Sequence, residues 1–487
     1  MARISHNRKK IPWLVMVAAL AFGPLLGGCV TVSVVTPTPT KTPAPSDTAP
    51  APDTAAVGVA AAVAATAALT VTQQPQAAVA APTQAAVAAP TTVPTTTQAS
   101  TASLTPSTTP TPPLPGPANA SDGMTSPDFG AEAFLWWRPE VADRDLGLMK
   151  DAGFRWVKQL VSWQDVEGAG QGKFDWSDTD RVVTQVQKYG LKLIVRLSAD
   201  PDQPFWAGTP PASSTAFAAF AGAVAQRYAG RIQAYQVWNE PNLAREWGNK
   251  RPDPTAYAQL LHGAYSAIKA ADPQAIVVSA GMAPTTEDDN VAMPDLKFYQ
   301  GMYDAMGRNS AGYFDMLGAH AAGYAVAPET DPQVVVNDPK LHNNDPSSPN
   351  LLRVYAFRHL EDVRALMVQN GDAAKRVVVL EFGWTTDDRP NSPYYWYGAG
   401  AGIDEMKKGD YLIRAYQYAA AHWQPWIALM TLIYMPDVNW TKNDEQYYWS
   451  ILGPGYPDAF WRPGYIAVCI YFNGTLGQHC KYDPNQH

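Results

Sequence analysis

The sequence predicts an α/β fold, a (β/α)8 TIM barrel, carried behind a long low-complexity leader. Three observations predict it: the large side chains gather late in the chain, short Val/Ile/Leu-rich runs alternate with amphipathic segments, and the alternation repeats eight times. Of 16 Trp, only Trp13 precedes Asp128; Phe22 is the only Phe there, and Tyr first occurs at Tyr189. A segment without large apolar groups cannot bury enough surface to offset the entropy of ordering it. The folded domain is therefore expected over 126–487, a length that barrels with insertions reach. The formal charge of -8 leaves no basic surplus to neutralise phosphates, which excludes a nucleic-acid partner.

Each element follows from its pattern. Strands are expected at 129–134, 156–161, 191–197, 232–238, 275–280, 314–319, 377–380 and 427–434. Helices are expected at 141–152, 179–189, 214–228, 254–271, 351–369 and 408–422, with Gly190 and Gly230 as C-terminal stops. Strands this rich in branched apolar residues are buried on both faces, as in a parallel sheet. Eight βα units favour a closed barrel over a doubly wound sheet. A long segment between the fifth and sixth strands is the weakest point of that count.

The N-terminus reads as an export signal over 1–28. Arg8, Lys9 and Lys10 precede an apolar stretch, 11–26, that is short for a bilayer span. It closes on Leu26-Gly27-Gly28-Cys29, which resembles the bacterial lipobox. The resemblance implies diacylation of Cys29, a membrane partner through that anchor, and a protein held outside the cytoplasm. Residues 29–125 are dominated by Ala, Thr, Pro and Val, and Gln76–Pro82 recurs as Gln84–Pro90. Such a segment is expected to be a disordered tether, spanning on the order of 50 Å as a flexible coil. Without Cys29, the remaining Cys469 and Cys480 form an even pair suited to a disulfide in an oxidising compartment.

A barrel places its active groups at the C-terminal ends of its strands. Asn239-Glu240-Pro241 follows the fourth strand and Glu381 follows the seventh, so two carboxyl groups fall on one rim. Glycosidic cleavage needs such a pair, one protonated to assist the leaving oxygen and one ionised to attack or to activate water. Neither metal-type His/Cys spacing nor a phosphate-binding Gly-rich loop is present, and no cofactor is expected.

Trp238-Asn-Glu-Pro-Asn242 resembles the acid/base signature of glycoside hydrolase clan A, and its Trp-Asn-Glu-Pro part alone is expected by chance on the order of one time in a thousand. Trp163-Gln-Asp-Val-Glu167 with Gly172-Lys-Phe-Asp-Trp176 is similar to the segment after the second strand in family 39 and its relatives, and family 5-like enzymes share the clan. The resemblance runs over about 129–390 and implies a retaining β-glycosidase acting on a carbohydrate substrate, with Glu240 as acid/base and Glu381 as nucleophile. It also implies that Asn239 bonds the sugar 2-hydroxyl. Arg196, near the exit of the third strand, is a candidate to hold Glu381 ionised, with a structural ion pair as an equal alternative. His320 and Tyr324 are candidates to orient Glu381 or touch the sugar. The eighth strand departs from the clan pattern: Tyr434, Trp440 and Trp384 compete as the platform under the reacting sugar. Of the rim aromatics Trp136, Trp137, Trp163, Trp206, Trp247, Trp384, Trp396 and Trp440, at least half are expected to pack loops, with Trp163 among the substrate contacts. The competing function is a non-catalytic glycan-binding surface lipoprotein on a degenerate barrel, which the retention of both carboxylates disfavours. Sugar, linkage and oligomeric state are not set by the sequence.

Overall fold

The computed structural model describes residues 123–136, 138–198, 213–474 and 480. The segments expected to be an export signal and a tether, with Cys29, lie outside the described residues up to residue 122, as do Trp137 and Trp206. Among the described residues no helix is long and apolar enough to cross a membrane.

Eight parallel strands form the barrel: β1 (Asp128–Glu132), β2 (Trp156–Ser162), β3 (Lys192–Ser198), β4 (Ala234–Val237), β5 (Ile276–Val278), β6 (Leu317–Ala322), β7 (Val377–Gly383) and β8 (Ile427–Leu432). Their order is β5-β4-β3-β2-β1-β8-β7-β6, and a parallel bridge from Val278 to Met316 closes the ring. Each strand is followed by a helix: α1 (Pro139–Ala152), α2 (Ser177–Lys188), α3 (Ser214–Arg227), α4 (Pro254–Ala271), α5 (Asp295–Ala305), α6 (Leu360–Gln369), α7 (Glu405–His422) and α8 (Pro463–Asn473). Side-chain caps start several of them, such as Asp253, which accepts from the Thr255 and Ala256 N–H groups ahead of Pro254. At the seam Gly318 lets β6 approach β5, because a Cβ there would lie 2.1 Å from the Ser279 carbonyl oxygen.

The period of two along each strand sorts the barrel interior into layers. Trp156, Ile194, Ala234, Val278, Met316, Val378, Leu380 and Leu429 pack together as an apolar floor. Two residues further along β2, β3 and β4 stand Lys158, Arg196 and Gln236, all buried. Outside, α8 seals the ring between α7 and α1, with Phe472 stacked on Phe129 at 4.0 Å. A disulfide joins Cys469 of α8 to Cys480.

Several boundaries differ from expectation. Met124 already belongs to the floor, and Arg376 donates to the Met124 and Thr125 carbonyls, so ordered structure begins before 126. β7 runs to Gly383, which puts Glu381 inside the strand. β6 begins at Leu317 and extends past His320. The helix expected over 351–369 is broken into short turns ahead of α6, because Ala356 is extended (φ -131, ψ 142).

Trp163 does not face a ligand, contrary to the sequence expectation. It is 0% exposed, stacks on Phe220 and meets Phe217 edge-on, while its indole N–H donates to Glu167 at 2.6 Å. Trp163→Ala is expected to lower unfolding stability by about 3–5 kcal/mol. Denaturant titration followed by tryptophan fluorescence measures it; a loss under 1 kcal/mol would contradict the packing role.

Candidate active site

The exit of β4 is strained. Trp238 and Glu240 both adopt left-handed backbone conformations (φ 72 and 39), which cost on the order of 1–3 kcal/mol each in bulky residues. Surrounding contacts hold them there. The Trp238 ring is buried edge-on between Phe217 and Trp247, and its N–H donates to the Glu246 carbonyl at 2.8 Å. Gln236 donates to the Trp238 carbonyl at 2.8 Å and to Asn239 Oδ1 at 3.3 Å. Asn242 bonds Ala283 through both ends of its amide and donates also to the Met293 carbonyl. The Glu240 N–H donates to the Gly281 carbonyl at 3.1 Å. The turn aims the Glu240 carboxyl into the mouth of the barrel.

There Glu240 Oε1 lies 3.0 Å from His320 Nδ1, and Oε2 accepts from Arg245 Nη2 at 3.0 Å. His320 in turn stands 3.8 Å from Glu381 Oε2 and is the register partner of Glu381 across β6 and β7. One donor atom from each of Glu240, His320 and Glu381 falls within 4.8 Å of the others. The two carboxyl groups therefore face each other at short range. The trio would suit a divalent ion by type, but the positive charge beside Glu381 is already supplied by protein. Lys158 Nζ donates to Glu381 Oε1 at 2.7 Å and to Glu132 Oε2 at 3.1 Å. Arg196 Nη1 stands 3.9 Å from Glu132 and 4.0 Å from Glu381.

The electrostatics follow from that arrangement. Burial would raise the Glu381 carboxyl, but His320, Lys158 and Arg196 outweigh it and hold it down, to about 2. Glu132 goes the other way: burial and the Glu381 charge lift it, against Lys158 and Arg196. Two further carboxyls near Arg245 are raised chiefly by burial, Glu246 to about 7 and Glu445 to about 8.

The structure brings Glu240, Glu381, His320 and Arg196 together, with buried Asn239 beside them. His320 bonds Glu240 and not, as expected, chiefly Glu381. Tyr324 does not orient Glu381 through its phenol; the O–H donates to the Pro284 carbonyl at 3.1 Å and the ring packs with Tyr355 and Tyr397. Trp384 is excluded as a platform because it is fully buried and donates to the Val326 carbonyl. Tyr434 is buried edge-on against half-buried Trp440, and Phe134 touches both. Trp247 is a packing residue, and Trp396 stacks on Tyr324. Lys158, Glu132, Arg245, Glu246 and Glu445 escaped the sequence reading. Only the first two left a signal there: charged residues inside strands expected to be buried on both faces.

A family model described as beta-galactosidase, glycoside hydrolase family 42, matches residues 133–216. No curated protein matches the chain. Among solved structures, a glucosidase from Croceicoccus marinus superposes with a TM-score of 0.50 at 11% identity, covering 72% of this chain and 68% of that one. A family 39 glycoside hydrolase from Bacteroides cellulosilyticus WH2 gives 0.49 at 17% identity over 72% of this chain. The chain spans 64% of that relative's length, less than two thirds. At these identities the likeness is one of fold alone, a (β/α)8 barrel.

Gly281 tests the site's geometry. A Cβ there would lie 2.1 Å from His320 Cδ2, so Gly281→Ala is expected to push the imidazole off Glu240 and cost about 1–3 kcal/mol through overpacking. A crystal structure of the variant with the His320–Glu240 contact intact would refute this.

Proposed function

We propose that this chain, built on a glycoside hydrolase barrel, hydrolyses β-glycosidic bonds with retention of configuration. The carrying observation is the close approach of Glu240 and Glu381, whose carboxyl oxygens come within 4.8 Å at the mouths of β4 and β7. Retaining pairs stand about 5–5.5 Å apart, while inverting pairs leave room for a water at about 6.5–9.5 Å.

Roles follow from the neighbours. Glu381 is held ionised, with Oε1 tied to Lys158, so Oε2 is the oxygen that attacks the anomeric carbon. Glu240 gives its proton to the leaving oxygen and afterwards takes one from the incoming water. His320, 4% exposed at its side chain, fixes one Glu240 oxygen. Arg245, 27% exposed, covers the other and is the group that can yield to an arriving leaving group. Asn239 is assigned to the sugar 2-hydroxyl and Trp440, with Tyr434 behind it, to a sugar face. A cleft of ≈ 360 Å³ between the loops after β7 and β8, lined in part by Arg389, Tyr394 and Glu445, offers room for neighbouring sugar units. No cofactor is required. The lipobox-like Cys29 and the Ala/Thr/Pro-rich tether support an exported, membrane-anchored enzyme working on carbohydrate outside the cytoplasm.

Glu240→Gln and Glu381→Gln are each expected to lower kcat by at least about 10²–10⁴-fold on an aryl β-glycoside while keeping the circular-dichroism spectrum. The first product, read by NMR, should keep the β anomer; an inverted product would remove the nucleophile role from Glu381. Separately, Cys29→Ser is expected to move the protein from the membrane pellet to the soluble exported fraction, and an unchanged distribution would count against the lipid anchor.

A further inference from the structure

The retaining reaction moves a negative charge from Glu381 to Glu240 within a buried site, and the barrel interior holds groups placed to answer its loss at Glu381. Lys158 is 0% exposed and has two carboxylates within 3.1 Å, one from β1 and one from β7. Glu132 and Lys158 are direct register partners, so the pair is built into the sheet. With Arg196 above them, two cations face two carboxyls in a space sealed below by the apolar floor.

We propose that Lys158 is a positioning residue that ties down Oε1 of Glu381 and leaves Oε2 to attack, and that Glu132 balances Lys158 once the attack has consumed the Glu381 charge. The proposal rests on the nucleophile role given to Glu381 above. In the first step a lone pair of Glu381 Oε2 forms the bond to the anomeric carbon as the glycosidic C–O bond breaks. The electron pair stays on the leaving oxygen, which takes the Glu240 proton. Glu381 is now an uncharged ester, and Glu132 is the carboxyl that remains in contact with Lys158. Loss of the Glu381 charge removes one of the influences that lift the Glu132 carboxyl, which favours its ionised form against Lys158. In the second step a water oxygen bonds the anomeric carbon, its proton goes to Glu240, and the ester electrons return to Glu381. A lysine without Glu132 would be left unpaired in a dry interior, a costly state. Conversely, Lys158 without Glu132 would hold the Glu381 charge too firmly and slow the attack.

The charged and titratable groups facing Glu381 are Glu132, Lys158, Arg196, Glu240, Glu246, His320 and Tyr434. The test compares wild type with Lys158→Met, Lys158→Arg and Glu132→Gln in the full chain. It reads the pH profile of kcat/KM on an aryl β-glycoside and, in the unliganded protein, the Glu381 carboxyl by ¹³C NMR. Lys158→Met should move both the acidic limb and the carboxyl titration upward by about 1–3 units, the size expected for losing a cation at this range. Lys158→Arg should keep both near wild type. Glu132→Gln should lower kcat/KM without moving the limb upward. A uniform loss in Lys158→Met, with limb and carboxyl unmoved, makes Lys158 merely structural and overturns the proposal. Should Lys158→Met fail to fold, Glu132→Gln decides, since wild-type kcat/KM at every pH in that variant overturns it equally. A wild-type protein that cleaves no glycoside removes the hydrolase reading alone; the NMR titration still decides whether Lys158 governs Glu381.

Discussion

The salt bridge from Lys158 to Glu381 constrains the rest of the site. A carboxylate at the mouth of a sealed barrel loses most of its hydration, and burial alone would neutralise it. His320, Lys158 at 2.7 Å and Arg196 together reverse that tendency. Removing two ions from water is itself costly, and β1 provides Lys158 with a second carboxyl, Glu132, in direct register. Three adjacent strands, β1 to β3, are thus committed to the needs of one residue on β7.

The exit of β4 solves the complementary problem. Glu240 must reach across the mouth toward Glu381, and a relaxed turn would not send it there. The left-handed conformations of Trp238 and Glu240 do, and they persist because Phe217, Trp247, Gln236, Asn242 and Gly281 each hold part of the turn. Gly281 has two duties: its carbonyl takes the Glu240 N–H, and its missing side chain makes room for the His320 ring. Strain at the chemical group is sustained by packing remote from it.

Much of the barrel was legible in the sequence because apolar periodicity is a local signal. Each of the eight strands was located, with errors of a few residues where loops rejoin the sheet. The two rim carboxylates were legible for the same reason: each sits at or near the end of a recognisable strand. Of their partners, Arg196 and His320 were legible at strand exits, but the rest were not, since pairing depends on how eight strands meet around a ring. Lys158 and Glu132 were visible as charges in buried runs, but nothing along the chain says that they meet each other or Glu381. Arg245, Glu246 and Glu445 come from loops, where no period constrains direction. The aromatic assignments erred in one sense. Trp163 and Trp384 lie next to site-bearing strands, yet an indole a residue or two from the rim can turn outward into the helix layer, and both do.

β1 pairs with β8, and α8 covers α1, so the first and last elements of the domain complete one another. Contacts between residues this distant in sequence are slow to form, because a long loop must close before any of them is rewarded. A ribosome releasing this chain from its N-terminus would present β1 hundreds of residues ahead of β8, the strand that pairs with it. The domain therefore cannot finish its core during emergence, and its early strands need protection until the last helix arrives.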